Sequence, residues 1–217
     1  QEVKAACAEH QPPCRLTIGQ PQGPALLSAR EEAARRIMKE DEQWHEYQDN
    51  GVIPMPEFGR RFTACHAGQN FLKLGNDQVA YLPTPGTKPM LGLIPLACGA
   101  ANHKLTVATT TNPGYPTPAD WCSYLAYATA IPLTTNSANK FLFDPEELLK
   151  IKARLVMMNY PSNPTGQVMS EEWLRKLCAL CEEHGIRLFN DGAYTILDHY
   201  GNHVTLAQVA IDFPNLS

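Results

Sequence analysis

Two periods of hydrophobic and polar positions run along the chain, and they are clearest between residues 154 and 191. Residues 154–159 (Arg-Leu-Val-Met-Met-Asn) form a short apolar run of strand length. After a polar loop, Ser170 stands as a helix N-cap, with Glu171 and Glu172 in the first turn, where the helix dipole favours negative charge. Trp173, Leu174, Leu177, Cys178 and Cys181 then recur at helical spacing, and Gly185 stands where that helix should stop. Residues 186–189 read as the next strand. A right-handed crossover makes the two strands parallel, so the polar residues beyond them, Asn163 and Asp191, open at one carboxyl edge. That is the edge at which open α/β sheets bind ligands.

The earlier chain continues the alternation. Residues 1–15 are a polar, proline-containing lead-in, and residues 28–39 predict a helix capped by Ser28 and rich in strong helix formers. A second helix is expected over residues 57–70, a strand over 79–83 and an apolar helix over 90–97. Residues 105–109 are a β-branched strand, 121–128 a helix and 130–133 a strand. Asp144, with Pro145 behind it and acidic residues following, predicts another helix start. The steady β/α order predicts a three-layer α/β/α domain with a mostly parallel sheet. Its expected extent is residues 56–217, with residues 1–55 forming an arm and part of a smaller domain.

Composition narrows the function classes. The 217 residues are 44% hydrophobic, ample for a core, and the net charge of −4 without a basic run argues against nucleic acid. No apolar stretch approaches membrane-spanning length, and no signal-peptide pattern opens the sequence. The seven cysteines are an odd, scattered set, which predicts reduced thiols and a cytoplasmic protein. Cys178 and Cys181 lie on one amphipathic helix with no second ligand pair, so they read as core rather than as a zinc site. Cys65 and His66 read as helix residues for want of a third partner.

The chemistry concentrates in two motifs, Asn163-Pro164-Thr165-Gly166 and, after a helix and a strand, Asp191-Gly192-Ala193-Tyr194. Each alone is an ordinary turn or cap sequence. Together, on these elements, they resemble the class I/II aminotransferases of fold type I, which use pyridoxal 5'-phosphate. The resemblance implies that Asn163 and Tyr194 reach the cofactor's phenolic oxygen and that Asp191 pairs with its protonated ring nitrogen. A carboxylate there keeps the ring cationic and able to accept electrons.

The same resemblance covers earlier stretches. Gly86-Thr87-Lys88, between an expected strand and an expected helix N-terminus, matches the family's phosphate-binding stretch; such a terminus binds anions through unpaired amides and its dipole. Asn112-Pro113-Gly114-Tyr115-Pro116 is similar to a turn whose aromatic ring stacks on the cofactor, and it reads equally as a Pro-Gly turn anchored in the core by Tyr115. Tyr47 stands where the family has a tyrosine that crosses a dimer interface to the neighbouring cofactor's phosphate. Gly19, ahead of Pro21, is a candidate for contact with the substrate carboxylate, or simply a turn residue.

The resemblance implies a homodimer moving an amino group between an amino acid and a 2-oxo acid. The family's Schiff-base lysine lies well past the Asp-x-Ala-Tyr motif, and residues 191–217 contain neither Lys nor Arg. That lysine is therefore expected beyond Ser217, in a longer protein, and the 217 residues alone are expected to be inactive. A carbon–sulfur lyase of the same fold stays open as an alternative, as does a non-catalytic cofactor-binding remnant or assembly partner.

Overall fold

The computed structural model describes residues 23–42, 45, 55–75, 77–198, 201 and 203–217. The chain forms two units, Gln1–Tyr47 and Gln48–Ser217. The first contains helix α1 (Leu27–Ile37), whose residues are all solvent-accessible. Its N-cap is Leu26, with no side-chain bond, so Ser28 lies within the first turn and does not cap it.

The second unit is built on a four-stranded sheet. Its elements in order are α2 (Met55–Ala67), α3 (Thr87–Pro95), β1 (Leu105–Thr109), α4 (Thr117–Tyr124), β2 (Ala128–Pro132), α5 (Glu147–Lys150), β3 (Leu155–Met158), α6 (Glu171–His184), β4 (Arg187–Asn190) and α7 (Leu206–Ala210). The strands lie in the order β2-β1-β3-β4, and every pairing is parallel. Strand β3 is buried at all four positions, as a central parallel strand covered on both faces should be.

The two-residue period of β3 divides the core. Val156 and Met158 join Leu174, Leu177, Cys178 and Cys181 of α6 on one face, whereas Leu155 and Met157 meet Leu91 of α3 and Cys122 of α4 on the other. Helices therefore cover both sides of the sheet, giving the three layers expected. Helix α6 begins where the sequence places it. Ser170 Oγ accepts from the Trp173 N–H at 3.2 Å, and Gly185 takes the left-handed conformation, φ 60°, that ends the helix. Burial pushes the thiols of Cys178 and Cys181 up to about 11 and about 12, so both are packing groups at neutral pH.

Several expected elements move. No strand forms over residues 79–83. Tyr81 instead donates its hydroxyl to the Phe71 carbonyl at 3.2 Å and lies under the Arg60 guanidinium, while Leu82 is 60% exposed. Both edges of β1 are already taken by β2 and β3, so that segment has no ladder there to join. Helix α3 starts at Thr87, three residues before its expected start, which brings Thr87 and Lys88 into its first turn. Helix α4 starts and ends four residues early, with Pro118 in its first turn, and Ala128 belongs to β2. Asp144 caps a turn by accepting from the Glu146 N–H, and helix α5 starts only at Glu147.

Candidate active site

Strands β3 and β4 end side by side, and the residue following each is polar: Asn159 after β3, Asp191 after β4. The ladder runs one step further, since the Asp191 N–H donates to the Met158 carbonyl at 2.8 Å. Asn159 then ties the ends together. Its Nδ2 donates to the Asp191 carbonyl at 2.7 Å, its Oδ1 accepts from the Asn163 N–H at 2.9 Å, and its own N–H donates to Thr110 Oγ1 at 3.1 Å. Beside it, Asn190 grips the Tyr160 backbone in both directions, at 2.9 and 2.7 Å. The loop carrying Asn163 closes on itself through the Gly166 N–H to the Ser162 carbonyl, with Gly166 at φ 70°.

A cavity of about 320 Å³ opens at this edge. It is lined by Asn159, Asn163, Asp191, Ala193 and Tyr194 from the ends of β3 and β4 and the loops after them, and by Thr87, Lys88, Leu91 and Tyr115 from α3 and the turn after β1. The structure thus brings together Thr87, Lys88, Tyr115, Asn163, Asp191 and Tyr194. Gly86 is the N-cap of α3 and lines a neighbouring hollow beside Phe58 and Phe62 instead. Gly19 and Tyr47 lie outside the described residues. Sequence reasoning gave no role of its own to Asn159 or Leu91, and Ala193 entered only as part of the Asp-x-Ala-Tyr motif. The signal for Asn159 was its place after β3, the counterpart of Asp191 after β4.

The electrostatics are asymmetric. Asp191 is half-buried, and burial raises its carboxyl above the usual range, partly offset by the Ala193 N–H. Among the described residues no lysine or arginine forms an ion pair with it. Also at the cavity, Gly86 at φ 98° opens α3 with no side-chain cap, leaving first-turn amides for an anion, and Lys88 stands exposed beside them. The cavity therefore suits a small molecule that carries both a cationic and an anionic group. Tyr115 is half-buried, both lining the cavity and packing on the core cluster of Val107 and Leu155. Gly114 makes that placement possible, because a Cβ there would collide with the Thr110 carbonyl.

Comparison with known proteins gives concordant results. The family model described as aminotransferase class I and II matches residues 12–208. An LL-diaminopimelate aminotransferase 2 of Trichormus variabilis is 36% identical over 96 residues, covering 42% of this chain and 24% of that protein. An LL-diaminopimelate aminotransferase of Dehalococcoides mccartyi is 29% identical over 160 residues, covering 72% and 39%. The crystal structure of aminotransferase AspB from Helicobacter pylori superposes with a TM-score of 0.73 at 22% identity, covering 92% of this chain and 51% of that one; this likeness is one of fold. The chain spans about a quarter to two fifths of the length of these curated relatives and half the length of that structure.

Proposed function

The chain belongs to the class I and II aminotransferase family, and we propose that it carries the cofactor-binding half of an aminotransferase acting between an amino acid and a 2-oxo acid. Members of this family use pyridoxal 5'-phosphate, and the observation that carries the reading is the polarity of the 320 Å³ cavity. One cavity holds a half-buried carboxyl with no cationic partner among the described residues, and an uncapped helix N-terminus with Lys88, a pair that fits a protonated ring nitrogen and a phosphate. A homodimer, as the family resemblance implies, and a cytoplasmic location, as the scattered cysteines suggest, are part of the proposal. The five described cysteines are free thiols, in keeping with a reducing compartment.

The roles follow from position. Asp191 would hold the proton on the ring nitrogen, a charge-assisted contact that offsets the burial of its carboxylate. Asn163 and Tyr194 would donate to the phenolic oxygen, and Tyr115 would cover a face of the ring. Thr87, Lys88 and the amides following Gly86 would take the phosphate. When bound, the cofactor supplies an electron sink for the substrate's α-carbon. The nine lysines of the sequence all precede Asp191, and Lys88, the one lining the cavity, stands at the proposed phosphate end. We therefore assign the covalent lysine to residues outside this sequence.

The test is to titrate the 217-residue chain with pyridoxal 5'-phosphate, reduce with borohydride and map labelled peptides by mass. Saturable binding without stoichiometric labelling of Lys88 or any other lysine is expected. Absence of saturable binding would remove the cofactor assignment. Stoichiometric labelling of one lysine accompanied by turnover would overturn the assignment of the lysine.

A further inference from the structure

Asn159 stands outside the two motifs that define the site, yet its side chain is bonded to both. It is 6% exposed. Its Oδ1 holds the backbone N–H of Asn163, four residues ahead, and its Nδ2 holds the backbone carbonyl of Asp191, 32 residues ahead. Its own N–H is bonded to Thr110, 49 residues back, just past the end of β1. One planar amide therefore joins the ends of β3 and β4, while the backbone of the same residue ties in the end of β1. The chemistry is demanding, because the position needs a donor and an acceptor side by side. Aspartate lacks the donor, and serine offers a single atom for both bonds.

We propose that Asn159 is the positioning residue of the cofactor site: it fixes Asn163 relative to Asp191, and so sets the spacing between the groups that hold the phenolic oxygen and the ring nitrogen. This rests on the cofactor reading given above. Asn190 supplies the comparison. It is the same residue type at the same sheet edge, but both its bonds go to the backbone of Tyr160 and it does not line the cavity. A purely structural clasp would make Asn159 and Asn190 equivalent in their effect on ligand binding. A positioning role makes them differ.

The experiment compares wild type, Asn159→Ala, Asn159→Asp and Asn190→Ala as the 217-residue chain, with pyridoxal 5'-phosphate as the probe. Urea unfolding measures stability, and affinity is titrated as a function of pH from neutrality into the acid range. Asn159→Ala is expected to weaken affinity by about tenfold or more, as loss of an outer-shell tie does at other sites. Asn190→Ala is expected to lower the urea midpoint to a similar degree yet change affinity by less than about threefold.

The acid limb of binding separates the roles further. Besides Asp191, the titratable side chains lining the cavity are Lys88, Tyr115 and Tyr194, and the phosphate of the probe itself titrates at about pH 6, so each variant's limb is read as a displacement from that of wild type. Releasing the Asp191 backbone in Asn159→Ala admits water to the carboxyl and moves the limb to lower pH. Asn159→Asp sets a second carboxylate beside it and moves the limb to higher pH. Should Asn159→Ala fail to fold, the direction of the limb in Asn159→Asp carries the test. Affinities and limbs in both Asn159 variants matching those of Asn190→Ala would overturn the inference. Failure of wild type to bind, or an Asp191→Asn variant binding as wild type does, would instead remove the cofactor reading and this inference with it.

Discussion

Replacing Asp191 by Asn should raise stability and lower affinity at once. The substitution keeps the shape of the side chain and an acceptor for the Ala193 N–H, and removes only the charge. In the ligand-free chain that charge is a burden. Burial raises the carboxyl above its usual value, and no cation among the described residues compensates. A carboxyl raised on folding destabilises the folded chain above its folded pKa, and the penalty disappears as pH falls through that value. Asp191→Asn should therefore resist urea better than wild type at neutral pH, and the difference should shrink on acidification. With pyridoxal 5'-phosphate present the sign reverses. Removing one partner of a hydrogen-bonded charge pair costs about 2 kcal/mol at the low end of the observed range, the end suited to a half-buried group, or about a 30-fold rise in Kd. Urea unfolding and absorbance titration at neutral pH measure the two effects. A variant less stable than wild type, or one with unchanged affinity, would refute the reasoning.

Two further outcomes concern the turn after β1. Tyr115→Ala should weaken pyridoxal 5'-phosphate binding by about 1 kcal/mol through lost ring contact; unchanged affinity in the titration would make Tyr115 a core anchor alone. Gly114→Ala should be worse than Tyr115→Ala in both stability and affinity, because the new methyl meets backbone at Thr110 and the turn carrying Tyr115 must shift. A Gly114→Ala protein with the wild-type urea midpoint would contradict the packing described at that turn.

The parts of the fold that were legible in the sequence were those whose local signals agree with their surroundings. Helix α6 is the clearest: Ser170, the apolar stripe and Gly185 each specify it, and it runs from Glu171 to His184. Residues 79–83 failed for the complementary reason. Val79, Tyr81 and Leu82 suit a strand, but a strand also needs a partner with a free edge, which no property of those five residues reveals. The cavity residues were found because their types are chemically distinctive. Asn159 was not, because its work is done entirely through bonds to distant backbone atoms. Its place after β3 marks it as a polar strand-end residue, but which groups it joins becomes visible only when Asn163 and Asp191 are seen in space.

The parallel arrangement of the sheet also governs the order in which the molecule can assemble. None of its strand pairings can form by a hairpin: Leu105 meets Ala128, Val107 meets Leu155 and Leu155 meets Arg187, each closing a loop of roughly 20 to 50 residues before any ladder bond rewards it. Such non-local pairing slows folding. Strands β1 and β3 are each paired on both sides, whereas β2 and β4 each have one strand partner. The bond from Asn159 to Asp191 spans the junction of β3 with β4, so the binding pocket is complete only when β4 has docked. A ligand that needs the finished pocket stabilises the fully assembled sheet over every partly paired form, and its concentration during synthesis would then set how much of the chain escapes the exposed-edge states in which parallel sheets aggregate.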